Sequence, residues 1–284
     1  MVTNINCPYC KSQAFTYEDD GTEMFLCFDC QRSLTYEKVK NGYGNSNFKR
    51  HTSSNTTISV SHDFSTILAR CERLSDLESN HNSLRFVRNR DIPSRFYDDL
   101  YFTERLGKLL HGTSYEKDFR DGQPKLIIPF RDEDGKMFAF QARSLDDATP
   151  KYITVMLDKN KDKIFGLERW NKDETTVVCE GPIDSFFIKN SLALAGSDIG
   201  SNKYLESNKD IILCLDNEPR NAVIVSKYYK FIKDGFRIVL WPDNIVEKDI
   251  NDMVQAGHNV EQIISDNNFQ GAQAKIKLNS WKRV

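Results

Sequence analysis

Two sets of residues in this chain have the types and spacing for chemistry. The first is carboxylates. The apolar run in "TTVVCEG" stops on Glu180, and the run in "DIILCLDNE" stops on Asp216, Asn217 and Glu218. Asp184 follows Glu180 by one helical turn, and Asp249 and Asp252 follow the next run, "FRIVLW", within "EKDINDM". Carboxylates gathered in one place repel unless a cation neutralises them. Hard oxygen ligands on a rigid rim suit Mg²⁺ (or Mn²⁺), which keeps waters and bridges substrate phosphates. The alternative is a row of helix caps, with Asp184 and Asp216 capping the helices that follow. Acids recurring at matching places favour metal chemistry.

The second set is thiols. "CPYC" (Cys7, Cys10) and "CFDC" (Cys27, Cys30) give the pattern C-x2-C-x16-C-x2-C. Two knuckles that far apart can be brought together by a hairpin, so four thiolates surround one tetrahedral Zn²⁺. Such a site has no open position and is structural. It either staples the fold alone or also presents Tyr9, Phe28 and Arg32 to unpaired bases. Of the remaining cysteines, Cys179 and Cys214 sit in apolar runs and read as small buried hydrophobes.

The elements that must position the carboxylates alternate. "TTVVCEG", "LALAGSD", "DIILCLDNE" and "FRIVLWP" read as strands; "PIDSFFIKNS", "RNAVIVSKYYKFIKDG" and "INDMVQAG" read as helices. That order predicts βαβ units and a parallel sheet, with ligands beyond the carboxyl ends of its strands. Upstream, "KLIIPF" and "MFAFQAR" flank the turn "RDEDGK" and predict a hairpin. The expected organisation is a zinc ribbon over 1–42, a polar flexible linker over 43–64, an α+β subdomain over 65–170 and a parallel-sheet subdomain over 171–284. Arg85, Arg88, Arg90 and Arg95 crowd one interval, either as a phosphate-facing patch or as a solvated helical face. The C-terminal "QAKIKLNSWKRV" either docks a partner or strand or packs on the core.

The net charge of −2 and pI of about 6.2 argue against a stand-alone, non-specific nucleic-acid binder, which carries a basic excess. They leave room for a nucleic-acid enzyme whose site needs acids. No apolar run reaches the length of a membrane helix and the N-terminus is not a signal peptide, so a cytoplasmic protein without a membrane partner is expected.

"VVCEGPIDSFF" with "LCLDNE" and "KDINDMV" resembles the Toprim motif set of primases, topoisomerases and certain nucleases. "LIIPFRDEDGKMFAFQAR", then "TPKYIT" and "IFGLERW", resembles the N-terminal half of the DnaG-type primase core, and "LRFVRNRDIPSRF" the helical segment that opens it. "EGPIDS", "AGSD" and "LDNEPRN" resemble in particular the primases of T-even-like bacteriophages. The resemblance implies an α/β protein: an N-terminal zinc ribbon, a linker and a primase core of an α+β subdomain and a Toprim sheet. It implies synthesis of short RNA primers on single-stranded DNA by metal-dependent nucleotidyl transfer. Asp216, Glu218 and Asp249 would hold Mg²⁺ with Asp184 in support, and Glu180 would be a ligand or a general base. Arg143 and Lys151, with Lys125, Arg131 and Arg88 as weaker candidates, would hold template or nucleotide phosphates. The implied partners are single-stranded DNA, ribonucleoside triphosphates, a hexameric replicative helicase and a single-stranded-DNA-binding protein. The chain departs from the family at Glu218, where an Asp is usual, in using four cysteines rather than three and a histidine, at Asn251 for Asp, and at Thr154 for Asn. The rival readings are a Mg²⁺-dependent nuclease and a non-catalytic RecR-like module; the "QAR" and "PKY" segments speak against the latter.

Overall fold

The computed structural model describes residues 3–6, 13–19, 22–27, 32–35, 63–113, 115, 119, 121–146, 149–196, 203–206 and 210–284. The chain forms two compact units, one of residues 1–60 with 105–121 and one of 61–104 with 122–284.

The first unit holds an antiparallel sheet, β1 (Thr3–Asn6), β2 (Gln13–Asp19), β3 (Thr22–Cys27) and β4 (Arg32–Thr35), in sequence order. The β2–β3 hairpin, closing at Asp19↔Thr22, is the one expected between the two cysteine pairs. Cys27 ends β3; Cys7, Cys10, Cys30, Tyr9, Phe28 and most of the expected linker lie outside the described residues. A helical turn at Leu106–Leu109 belongs to the same unit.

The second unit contains two five-stranded sheets. The antiparallel one runs β5 (Glu72–Arg73), β6 (Tyr101–Thr103), β7 (Lys125–Arg131), β8 (Met137–Ser144) and β9 (Tyr152–Met156), again in sequence order. β7 and β8 form the expected hairpin. Its turn is closed by the Asp132 carboxylate, which accepts from Asp134 N at 3.2 Å and Lys136 N at 2.9 Å, while Gly135 takes the left-handed backbone, φ +78°, that a side chain disfavours. Helix α1 (Asn82–Asn89) precedes β6, capped by the His81 ring on Ser83 N.

The second sheet has the order β11-β10-β12-β13-β14, with β10 (Thr176–Cys179), β11 (Ser191–Ala193), β12 (Ile211–Cys214) and β13 (Arg237–Val239) parallel and β14 (Asn268–Phe269) antiparallel at the edge. β10 and β12 are buried along their whole lengths, which is why their sequences are continuous apolar runs rather than alternating ones. Cys179 and Cys214 are fully buried and paired in register. The helices between and after the strands are α2 (Pro182–Ser185), α3 (Lys203–Glu206), α4 (Ala222–Lys233), α5 (Ile250–Gln255), α6 (Val260–Asp266) and α7 (Gly271–Trp281). Helix α4 is capped by Asn221 and ended by Gly235 at φ +87°.

The basic C-terminal segment packs on the core: Ala274, Leu278 and Trp281 of α7 are buried, and Trp281 meets Tyr228 of α4 edge-on at 5.6 Å. Phe130 of β7, Phe165 and Phe186 make successive ring contacts at 5.3 and 5.7 Å. This aromatic seam joins the two sheets into one core, and truncating one such ring to Ala costs about 3–5 kcal/mol. Among the described residues no helix is long and apolar enough to cross a membrane.

Candidate active site

The acids are placed by the ends of parallel strands. Cys179 and Cys214 are register partners, so Glu180 and Asp216, one and two residues further on, emerge at one level of one sheet edge. The loop after β12 is fixed by its backbone. Trp241 Nε1 donates to Leu215 O at 2.9 Å, and Leu215 N donates to the buried Tyr228 hydroxyl at 3.3 Å. Asn217 N donates to Lys248 O at 2.7 Å, and the Asn217 amide donates to Ile245 O and Glu247 O. Asn217 therefore staples the strand end bearing Asp216 and Glu218 to the loop bearing Lys248 and Asp249.

The helix-cap alternative is not met at either acid. Neither Asp184 nor Asp216 caps a helix: Asp184 lies within α2, and Asn221 caps α4. Asp184 instead accepts from Asn251 N at 3.2 Å, the first turn of α5. Asp249 is the cap of α5, accepting from Asp252 N at 2.8 Å. Gly181 allows the turn into α2, because a Cβ there would sit 3.1 Å from Asp184 Oδ2.

Negative charge accumulates at this edge. Burial, then the neighbouring Glu180 and Asp249, push the Asp216 carboxyl up to about 7, with Lys248 opposing. Burial, then Asp249 and Asp216, hold the Asp184 carboxyl well above the usual carboxylate range, against the hydrogen bond from Asn251. Two lysines answer this charge: Lys227 Nζ lies 2.9 Å from Glu180 Oε1, and Lys248 Nζ lies 3.2 Å from Glu218 Oε1 and 3.9 Å from Asp216 Oδ2. The acids thus share an edge but do not form a closed cage. Among the described residues no three or more His, Cys, Asp or Glu side chains stand together as a ready-made metal site. The donor set fits a divalent cation in its chemistry: oxygen only, half-buried, and carrying more negative charge than its surroundings stabilise.

A basic group stands close to these acids. Arg143 of β8 is only 4% exposed, so its guanidinium is fixed by packing. Its Cζ lies 4.3 Å from the centre of the Phe86 ring and 5.2 Å from that of Tyr152, and its Nε donates to the Tyr152 hydroxyl at 3.1 Å. Burial pulls its pKa down; Tyr152 opposes this, Arg90 adds to it, and Asp249 opposes it. Burial also lowers Lys151, with Arg143 and Arg90 adding to the effect and Asp249 and Asp252 opposing it. Arg90, Arg143 and Lys151 therefore sit in one electrostatic neighbourhood with Asp249.

The weaker basic candidates are elsewhere. Lys125 is 2% exposed and its Nζ donates inward to Ser144 Oγ at 2.6 Å, so it presents no charge at the surface. Arg131 lies at the turn end of the β7–β8 hairpin, paired with Met137 and far along the strands from Arg143, and donates to Ser65 Oγ and Gly135 O. Arg88 donates to Ser79 O at 2.6 Å. Nor do the four arginines of that interval form one patch. Arg85 turns to Asn82, Arg95 donates to Phe186 O at 3.2 Å, and Arg90 enters the site.

The contacts of three residues escaped sequence reasoning. Lys227 and Lys248 lie on the acids although neither was singled out; the adjacency of Lys248 to Asp249 in "EKD" was the available signal. Asn251, only 1% exposed, clasps α1: its side-chain oxygen accepts from Arg90 Nη1 at 2.6 Å and its amide donates to Arg90 O at 2.6 Å. The clasp is neutral and both accepts and donates.

Comparison with known proteins fits this geometry. The second unit's architecture is that of the DnaG primase catalytic core: one solved structure of that core aligns with TM-score 0.56 at 14% identity, over 75% of this chain and 81% of that one. A DnaG catalytic domain bound to single-stranded DNA aligns with TM-score 0.55, also at 14% identity, over 75% of this chain and 79% of that one. The Aquifex aeolicus primase, comprising zinc-binding and RNA polymerase domains, aligns over 94% of this chain and 79% of that one with TM-score 0.54 at 18% identity. In sequence, the chain is 34% identical over 226 residues to the DNA primase of bacteriophage T4, covering 76% of this chain and 65% of that protein's length. No family model matches. In sequence the chain is thus similar to a phage DNA primase, and in fold to the DnaG catalytic core, as its motifs led us to expect.

Proposed function

We propose that this protein is a DNA primase: an RNA polymerase that makes short RNA primers on single-stranded DNA for phage-type DNA replication. The observation that carries the reading is the Asp216–Asn217–Glu218 strand end, stapled by Asn217 to the Lys248–Asp249 loop and adjoining the buried Arg143. In the reaction the 3′-hydroxyl of one ribonucleotide attacks the α-phosphate of the next, and pyrophosphate leaves. Asp216, Glu218 and Asp249 would hold Mg²⁺ or Mn²⁺, with Asp184 in support; the bound ion supplies charge neutralisation between triphosphate and attacking oxygen. Glu180 either joins them or takes the proton of the attacking hydroxyl. Arg143, locked between two aromatic rings, and the more exposed Lys151 orient phosphates of template or nucleotide at small entropic cost. Asn251 holds Arg90 in the same neighbourhood.

The zinc ribbon is part of the proposal. A β-hairpin between two Cys-x2-Cys knuckles supports a four-thiolate Zn²⁺ site at Cys7, Cys10, Cys27 and Cys30, used in choosing where a primer starts. One zinc per chain by elemental analysis, lost in Cys27→Ser with Cys30→Ser, is the expected outcome. Single-stranded DNA and ribonucleoside triphosphates are the proposed substrates, a hexameric helicase the proposed delivering partner, with a single-stranded-DNA-binding protein on the template, all in the host cytoplasm.

The test is direct. Single-stranded DNA, labelled ribonucleotides and Mg²⁺, with and without a replicative helicase, should yield short RNA, and Asp216→Ala should abolish it. Cleavage of the DNA without RNA would point to the nuclease alternative, and undiminished synthesis by Asp216→Ala would refute the metal assignment.

A further inference from the structure

The acidic edge carries its own cation. Lys248 Nζ reaches oxygens of both Glu218 and Asp216, at 3.2 and 3.9 Å, whereas Lys227 reaches Glu180 alone. The two ends of Lys248 are held very differently. Its main chain is fixed, since its carbonyl accepts from Asn217 N at 2.7 Å. Its side chain is 58% exposed, so no packing holds the ammonium where it is. An ammonium on a flexible four-carbon stem keeps its charge while changing partner, which a packed guanidinium such as that of Arg143 cannot do. The stem is anchored beside Asp249, at the rim where acids and basic residues come together.

We propose that Lys248 is an internal counter-cation of the site. It competes with the divalent metal for the Asp216 and Glu218 oxygens and, once displaced, holds a phosphate of the incoming nucleotide. This rests on the primase reading of the edge. Its consequence is that metal and nucleotide help each other to bind. The metal frees a positive charge that the triphosphate then uses, and without metal that charge stays on the acids and the nucleotide gains nothing from it. No bond is made or broken by the lysine; it changes ionic partner only.

The experiment uses the full chain, with Mn²⁺ as the probe followed by electron paramagnetic resonance, and a non-hydrolysable ribonucleoside triphosphate. Lys248→Met should bind Mn²⁺ several-fold more tightly than wild type without nucleotide. At saturating Mn²⁺ it should bind the nucleotide several-fold more weakly. Lys248→Arg keeps the charge but can fork across both carboxylates, so it should bind Mn²⁺ more weakly than wild type. Wild type gives a readout free of folding effects: acetylation of Lys248, followed by mass spectrometry, should speed up when Mn²⁺ is added and slow again with nucleotide. Equal or weaker Mn²⁺ binding by Lys248→Met, or acetylation indifferent to Mn²⁺, overturns the lysine's role. Asp216→Asn separates this from the underlying reading. If it loses Mn²⁺ while Lys248→Met behaves as wild type, only the lysine proposal fails; if it keeps Mn²⁺ affinity, the metal site itself is misassigned.

Discussion

The two five-stranded sheets of the second unit supply opposite charges by opposite means. The parallel sheet offers Glu180 and Asp216 just beyond its strands, where the chain leaves the core and carboxylates can meet solvent, metal or lysine. The antiparallel sheet offers Arg143 from within a strand, 4% exposed and wedged against Phe86 and Tyr152. The acids are positioned by backbone hydrogen bonds in loops and keep side-chain freedom. The arginine is positioned by its own packing and keeps almost none. On the proposed reading, an edge that accepts and releases ions benefits from the first arrangement, and a clamp that holds a phosphate in one place benefits from the second.

The comparison can be broken at its strongest point first. Asp216→Ala should lower the rate of primer synthesis about a thousand-fold, or about 4 kcal/mol, if one metal contact to the developing charge is lost; a primer-extension assay reads it. Arg143→Ala should cost about 2–3 kcal/mol, roughly fifty-fold, in kcat/KM, the worth of hydrogen bonds from a charged donor. Arg143→Lys should rescue little, since an ammonium cannot stack in the same slot. Asn251→Ala removes two buried hydrogen bonds to Arg90 and should destabilise the fold by about 2–3 kcal/mol in urea unfolding, with Asn251→Asp intermediate.

Charge at the acidic edge gives a pH test. The folded-state pKa of Asp216 is raised to about 7 from 3.8, so between those values the folded state holds a proton that the unfolded chain has lost. Stability in a chelator should therefore fall as pH rises from about 4 to 7. At pH 8 Asp216→Asn should be more stable than wild type by about 1–3 kcal/mol, a difference that vanishes near pH 4. An Asp216→Asn variant no more stable at pH 8 would mean that Lys248 fully offsets the carboxylate. Smallest of all, Gly181→Ala crowds Asp184 by a few tenths of an ångström and should cost less than about 1 kcal/mol while shifting the metal dependence of synthesis.

Much of this was legible in the residues. Parallel strands buried on both faces must be unbroken apolar runs, so β10 and β12 announce themselves, and the acids that end them must lie at one sheet edge. The β7–β8 hairpin and the β2–β3 hairpin follow from turn residues between apolar segments, a signal local in the chain. What the sequence could not decide was where long side chains go. Lys125 and Arg143 belong to paired strands, Lys125 opposite Ser144 and Arg143 opposite Leu126, yet one ammonium is hydrogen-bonded to Ser144 in the core and one guanidinium lies against Phe86 and Tyr152. Arg88 and Arg90 are two residues apart, yet one caps Ser79 O and the other meets Asn251, 161 positions away. Periodicity fixes which face of an element is apolar, because burial is a property of the face as a whole. The partner of a single charged group is set by which distant segment the fold brings within about 3 Å, and only the tertiary structure brought Lys248 to Glu218 and Asn251 to Arg90.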